Sequence, residues 1–145
     1  MSYELLLIPP LAGIISQIIK LFLKSNNLKW NMRGLSAYSG MPSGHSAIVI
    51  SLMTTAYLTQ GLTSPIFALS FAFAFVVIRD AVGIRRYLGE HGKILNILVK
   101  DLNEDSLLDE KYPRLIERVG HTPMQVLIGS LIGFAFSLLC HWLIY

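Results

Sequence analysis

Residues 126–145 read VLIGSLIGFAFSLLCHWLIY: twenty positions without a formal charge, closed by Trp142 and Tyr145. Crossing the ~30 Å hydrocarbon layer as a helix takes about 20 apolar residues, and Trp and Tyr anchor such helices at the interface. This stretch therefore predicts a membrane span, and the pattern recurs upstream. Leu5 to Leu23 is apolar apart from Pro9, Pro10, Gln17 and Lys20. Ala47 to Leu62 ends on the stop signal Gly61, and Pro65 to Ile78 runs on towards Gly83. Of the 145 residues, 53% are hydrophobic and 14% charged, and the mean hydropathy is +0.55. A soluble domain carries about 25% charge, so the composition excludes one. With one cysteine, Cys140, a disulfide scaffold and a cysteine-based zinc site are excluded as well. The expected architecture is all-α: a polytopic transmembrane bundle forming one domain, 1–145, with spans near 5–23, 46–62, 65–83 and 123–145.

The first run lacks the basic front end and cleavage site of a signal peptide. Its two prolines predict a kink, a late start or a re-entrant segment. Lys24, Lys29 and Arg33 fall in the first connection, and Arg85, Arg86, Lys93, Lys100, Lys111, Arg114 and Arg118 in the third. With four spans these connections share a face, which the positive-inside tendency makes cytoplasmic. Within the third connection, Ile94, Leu95, Ile97, Leu98 and Leu102 recur at helical spacing. They predict an amphipathic helix over about 91–102, at the membrane surface or beneath the bundle. Residues 103–112 read as a solvated acidic loop. Net charge is only +3, and nothing points to nucleic acid.

The chemistry-bearing residues cluster where the second and fourth spans begin. Met41-Pro42-Ser43-Gly44-His45-Ser46 places the N-cap residue Ser43 and a glycine before a histidine. Gly120-His121-Thr122-Pro123 repeats the arrangement, with Thr122 as cap and Pro123 at the first helical position. Both helices would start on one face and turn their unpaired N–H groups towards an anion. A histidine at each start then supplies a nucleophile and an acid around a bound phosphate. Either histidine alone is better explained as a capping or interface residue; the pair shifts the balance towards chemistry.

Pro42-Ser43-Gly44-His45 resembles the P-S-G-H motif of the type 2 phosphatidic acid phosphatase and vanadium haloperoxidase superfamily. With Asp80-Ala81-Val82-Gly83-Ile84-Arg85-Arg86 and Gly120-His121-Thr122-Pro123, the whole chain resembles its divergent, compact membrane branch. The resemblance implies metal-independent hydrolysis of a phosphomonoester or diphosphate, with no cofactor. His121 would attack phosphorus, His45 would protonate the leaving oxygen, and Ser43 and Gly44 would bind phosphate oxygens. Two motifs depart from the pattern. No lysine is followed seven positions later by an Arg-Pro pair, so K-x6-R-P is absent, and Lys29 and Arg33 are the candidates for its charge. Of S-R-x5-H-x3-D only the histidine stands: Leu115 lies six positions before His121, and Gln125 four after it, in place of aspartate.

Asp80 is the candidate substitute. At about 1.5 Å per residue it lies ~22 Å along the span from Pro65, short of the full hydrocarbon thickness. A carboxylate there orients a histidine, positions an arginine, or forms a buried salt bridge that fixes packing. Arg85 or Arg86 reaches it only if Gly83 breaks the helix. Both arginines are phosphate-clamp candidates or edge charges that set topology. Gly129 and Gly133 form a small-xxx-small pair for close helix packing, within the monomer or across a homodimer. His91 and His141 read as incidental. The expected function is a lipid-phosphate phosphatase acting at the bilayer. Its alternatives are a phospholipid-binding scaffold that keeps the anion site, or transfer of the phosphoryl group to an alcohol.

Overall fold

The computed structural model describes residues 3–23, 40–102, 115–117 and 120–145. Five helices follow in order: α1 Glu4–Phe22, α2 Gly44–Gln60, α3 Pro65–Val82, α4 Ile84–Leu102 and α5 Pro123–Ile144. No strand occurs among the described residues. The chain is a helical membrane bundle. Lys29, Arg33 and the acidic stretch 103–112 lie outside the described residues.

Local chemistry explains the boundaries. Ser43, Ser64 and Thr122 cap α2, α3 and α5, each hydroxyl accepting the N–H three residues on. Proline follows the cap in α3 and α5, where its missing N–H costs nothing. Gly61 ends α2 at φ 80°, a conformation glycine adopts without Cβ strain. α1 starts at Glu4 and continues through Pro9 and Pro10, so the late start and the re-entrant segment are both replaced by a continuous helix.

Three described stretches are long and apolar enough to cross a membrane: Glu4–Phe22, Pro65–Lys100 and Pro123–Ile144. The expected span at 46–62 is α2, whose caps limit it to 17 residues. α2 is the hub, with α5, α1 and α3 packed around it. Its polar residues are satisfied inside the bundle. The Ser51 and Ser137 hydroxyls lie 2.7 Å apart, and Thr55 Oγ1 donates to Ser137 Oγ at 3.3 Å. The pairing of Ser46 with Val126, Ala47 with Gly133 and Ser51 with Ser137 advances in the same direction on both helices, so α2 and α5 run parallel. Gly13 lies against Ile48 and Gln17 against Gly44, so α1 runs antiparallel to them.

Gly129 and Gly133 settle their own role. A Cβ on Gly129 would collide with the Ser43 carbonyl oxygen, and one on Gly133 with that of Ala47. The two glycines bring α5 against α2 within one molecule.

The amphipathic helix begins at Ile84 rather than near residue 91, because α4 grows directly out of Gly83 and carries Arg85 and Arg86 with it. The Gly83 carbonyl accepts the Arg86 and Tyr87 N–H groups at 3.0 and 3.2 Å. The Glu90-His91-Gly92 stretch continues as helix, and Gly92 is buried beneath Ile116. Asn96 clips the returning chain: its amide donates to the Leu115 carbonyl and the Glu117 carboxylate and accepts the Leu115 N–H, each at 2.9 Å.

Candidate active site

The two histidine-bearing helix starts are bonded to each other. Ser43 N–H donates to the Gln125 carbonyl at 3.0 Å, and the Ser46 hydroxyl reaches the Val126 carbonyl at 3.1 Å. The rings of His45 and His121 consequently stand 6.2 Å apart, centroid to centroid, at 54°. They neither stack nor bond. Residues 76 apart in sequence have become neighbours.

The pair is asymmetric. His45 is exposed, whereas His121 retains 5% of its surface. Burial, opposed by the Gln125 hydrogen bond and reinforced by the charges of Lys20, His45 and Arg85, holds the His121 pKa down to about 4. The ring is neutral at pH 7, as a nucleophile must be.

Gln125 also decides which nitrogen of His121 is free. Its side-chain oxygen accepts the Thr122 backbone N–H at 3.0 Å, completing a capping box with the Thr122 hydroxyl. A backbone N–H is only ever a donor, so the amide atom facing it is oxygen, not nitrogen. That same oxygen meets His121 Nδ1 at 3.3 Å. Nδ1 therefore carries the hydrogen, and Nε2 keeps its lone pair.

The break at Gly83 anchors this arrangement from the third helix. With the α3 ladder ended, the Ala81 carbonyl is released and accepts the His121 N–H at 3.0 Å. The chain also turns so that Arg85 Nε donates to Asp80 Oδ2 across the break. Asp80 thus positions an arginine. The pair is partly exposed, at 34% for Asp80 and 41% for Arg85, so it is not a buried packing bridge. Arg86 points elsewhere, onto Glu90 at 3.3 Å. Gly120 allows the closing approach: at φ 90° its Cα faces the Arg85 and Arg86 backbone, with no room for a Cβ.

Ser43 and Gly44 are both buried. The Ser43 hydroxyl is engaged as the α2 cap and its N–H by Gln125. Gly44 lies under the Gln17 side chain, which a Cβ would strike at 2.9 Å. No group of three or more metal-ligating side chains occurs among the described residues.

Sequence reasoning passed over the contribution of α1. Ser16, Gln17 and Lys20 face inward near the end of this helix, and Lys20 is only 1% exposed. Its charge bears on both histidines. The buried oxygens of Ser16 Oγ and Gln17 Oε1 have no hydrogen-bond partner among the described residues. The available signal was the spacing: polar residues at 16, 17 and 20 share one face of an otherwise apolar helix, and an ionisable group inside a span marks a functional site by default.

Comparison with known proteins shows the family. No solved structure matches the chain significantly. The chain is 38% identical over 145 aligned residues to the uncharacterized membrane protein YuiD of Bacillus subtilis (strain 168), covering 91% of this chain and 90% of that one. The model of the Divergent PAP2 family matches residues 1–136, a range that takes in both histidines, the Gly83 break and the whole α1 polar face. The chain belongs to the divergent PAP2 family of membrane proteins.

Proposed function

We propose that the protein is a membrane phosphatase that hydrolyses a lipid phosphomonoester or diphosphate at the cytoplasmic face, through a phosphohistidine on His121. The carrying observation is the His45–His121 pair at 6.2 Å, with the Nδ1 hydrogen of His121 held by Gln125.

In the first half-reaction, Nε2 of His121 forms a bond to phosphorus as the ester P–O bond breaks. Protonated His45 delivers its proton to the departing oxygen. In the second, water attacks the phosphorus, His45 takes up the water's proton, and the P–N bond breaks to release inorganic phosphate. Lys20 and Arg85 stabilise charge on the phosphoryl oxygens, together with the first N–H groups of α2. Gln125 and Asp80 are positioning residues, the first for His121 and the second for Arg85. The polar lining supplied by Ser16 and Gln17 leaves the lipid tails to the bilayer.

The test is phosphate release by the reconstituted protein from phosphatidic acid, phosphatidylglycerophosphate and a polyprenyl diphosphate. His45→Ala and His121→Ala should each abolish it, and the wild-type protein should trap an acid-labile phosphate that His121→Ala does not. The burial of His121 favours a second reading, a phospholipid-binding scaffold. Lipid binding that needs both histidines but never releases phosphate would establish that reading and remove the first.

A further inference from the structure

Away from the histidines, the Gly83 break opens a cavity of about 890 Å³ between the end of α3 and the start of α4. Its lining follows one helical stripe: Phe75 and Val76, then Arg79, then Val82, then Arg86 and Tyr87. The break leaves the two helices sharing a face. That face looks outward, with Phe75 62%, Val76 63% and Tyr87 63% exposed, so in a membrane its upper part meets acyl chains.

Arg79 is the unexplained residue on it. It is exposed, about 14 residues or ~21 Å from the start of the span at Pro65, which places its Cα inside the hydrocarbon edge. An arginine at that depth reaches for the headgroup layer and pairs with an anion there. No carboxylate among the described residues pairs with it. Asp80, its neighbour, is engaged by Arg85, and Glu90 lies beside Arg86. The lining carries Arg79 and Arg86 against Asp80 and Glu90; Asp80 is offset from outside the cavity by Arg85 and Glu90 by Arg86, which leaves the charge of Arg79 over. The headgroup layer supplies phosphate as its anion.

We propose that this cavity binds one anionic phospholipid, its phosphate between Arg79 and Arg86 and an acyl chain along Phe75 and Val76. The apolar wall selects a lipid over a free phosphate ion, and the excess positive charge selects an anionic headgroup over a zwitterionic one. The site is separate from the catalytic pair and does not depend on turnover.

The experiment measures lipid binding to the full chain in detergent by native mass spectrometry, with dioleoylphosphatidylglycerol and dioleoylphosphatidylcholine as probes. One phosphatidylglycerol should be retained with about tenfold preference. Arg79→Gln with Arg86→Gln should remove that preference, and His45→Ala should keep it. A second measurement removes no arginine: Phe75→Trp, with Trp30 and Trp142 changed to phenylalanine, should be quenched more by brominated phosphatidylglycerol than by brominated phosphatidylcholine. Equal binding of the two lipids, equal quenching, or a preference that survives the double arginine change would overturn the proposal. So would displacement of the lipid by millimolar inorganic phosphate, which would identify a bare anion site instead.

Discussion

At the scale of single residues, the buried imidazole of His121 is kept uncharged beside the exposed one of His45. The replacement of aspartate by Gln125 is central to this. A carboxylate four residues after His121 would draw a proton onto the ring; the amide oxygen also favours the protonated ring, but burial outweighs it. Gln125→Glu retains an oxygen for the Thr122 N–H and adds a charge at Nδ1. It should raise the His121 pKa from about 4 by one to two units, read by NMR titration of the ring, and move the acid limb of the rate profile with it. An unchanged titration would mean that Gln125 does not touch the ring in solution. The same depressed pKa predicts how stability responds to acid. Below an unfolded value near 6.5 the unfolded chain binds a proton that the folded chain refuses until about 4. Stability is therefore full above pH ~6.5 and falls by up to about 3 kcal/mol on descending to pH ~4. Thermal unfolding in detergent across this window should show the decline, and His121→Gln should flatten it.

At the scale of elements, two glycines on different helices separate space from conformation. Gly133 lies where a Cβ would overlap the Ala47 carbonyl, backbone against backbone, and neither side can yield without moving a helix. Gly61 has open space around it but a φ of 80°. Gly133→Ala should cost about 3 kcal/mol or more, and Gly61→Ala about 1 kcal/mol. Denaturation in mixed micelles reads both, and a reversed order would mean that α2 and α5 are not in this register. The elements also show what was legible beforehand. Caps and stops are local chemistry, so Ser43, Thr122, Pro123 and Gly61 announced their roles by residue type alone. The start of α4 was not local in this sense. Gly83 does end α3, but its carbonyl nucleates the next helix at once, and Gly92 within that helix packs against Ile116. That partner comes from 24 residues away, beyond the reach of periodicity.

At the scale of the whole molecule, the parallel pairing of α2 with α5 places the histidines together, and a cross-link can test it. Ser51→Cys with Ser137→Cys, in a Cys140→Ser background, should oxidise to a disulfide within one chain, since the two hydroxyls stand 2.7 Å apart. Electrophoresis distinguishes that product from a dimer; a bridge formed only between chains would overturn the packing described. The meeting of His45 and His121 was legible because two capped helix starts on one face must lie near each other in a small bundle. The part played by Lys20 was not. A lysine near the end of an apolar run looks like an edge charge until the opposing helices are in place, and only the antiparallel docking of α1 on α2 shows that Lys20 turns inward. One atom, the side-chain oxygen of Gln125, both closes the first turn of α5 and sets the proton on His121. Fixing the proton of His121 and winding that turn are consequently a single event. Warming that frays α5 by one turn should silence the site while the rest of the bundle still stands, so heat inactivation would precede melting.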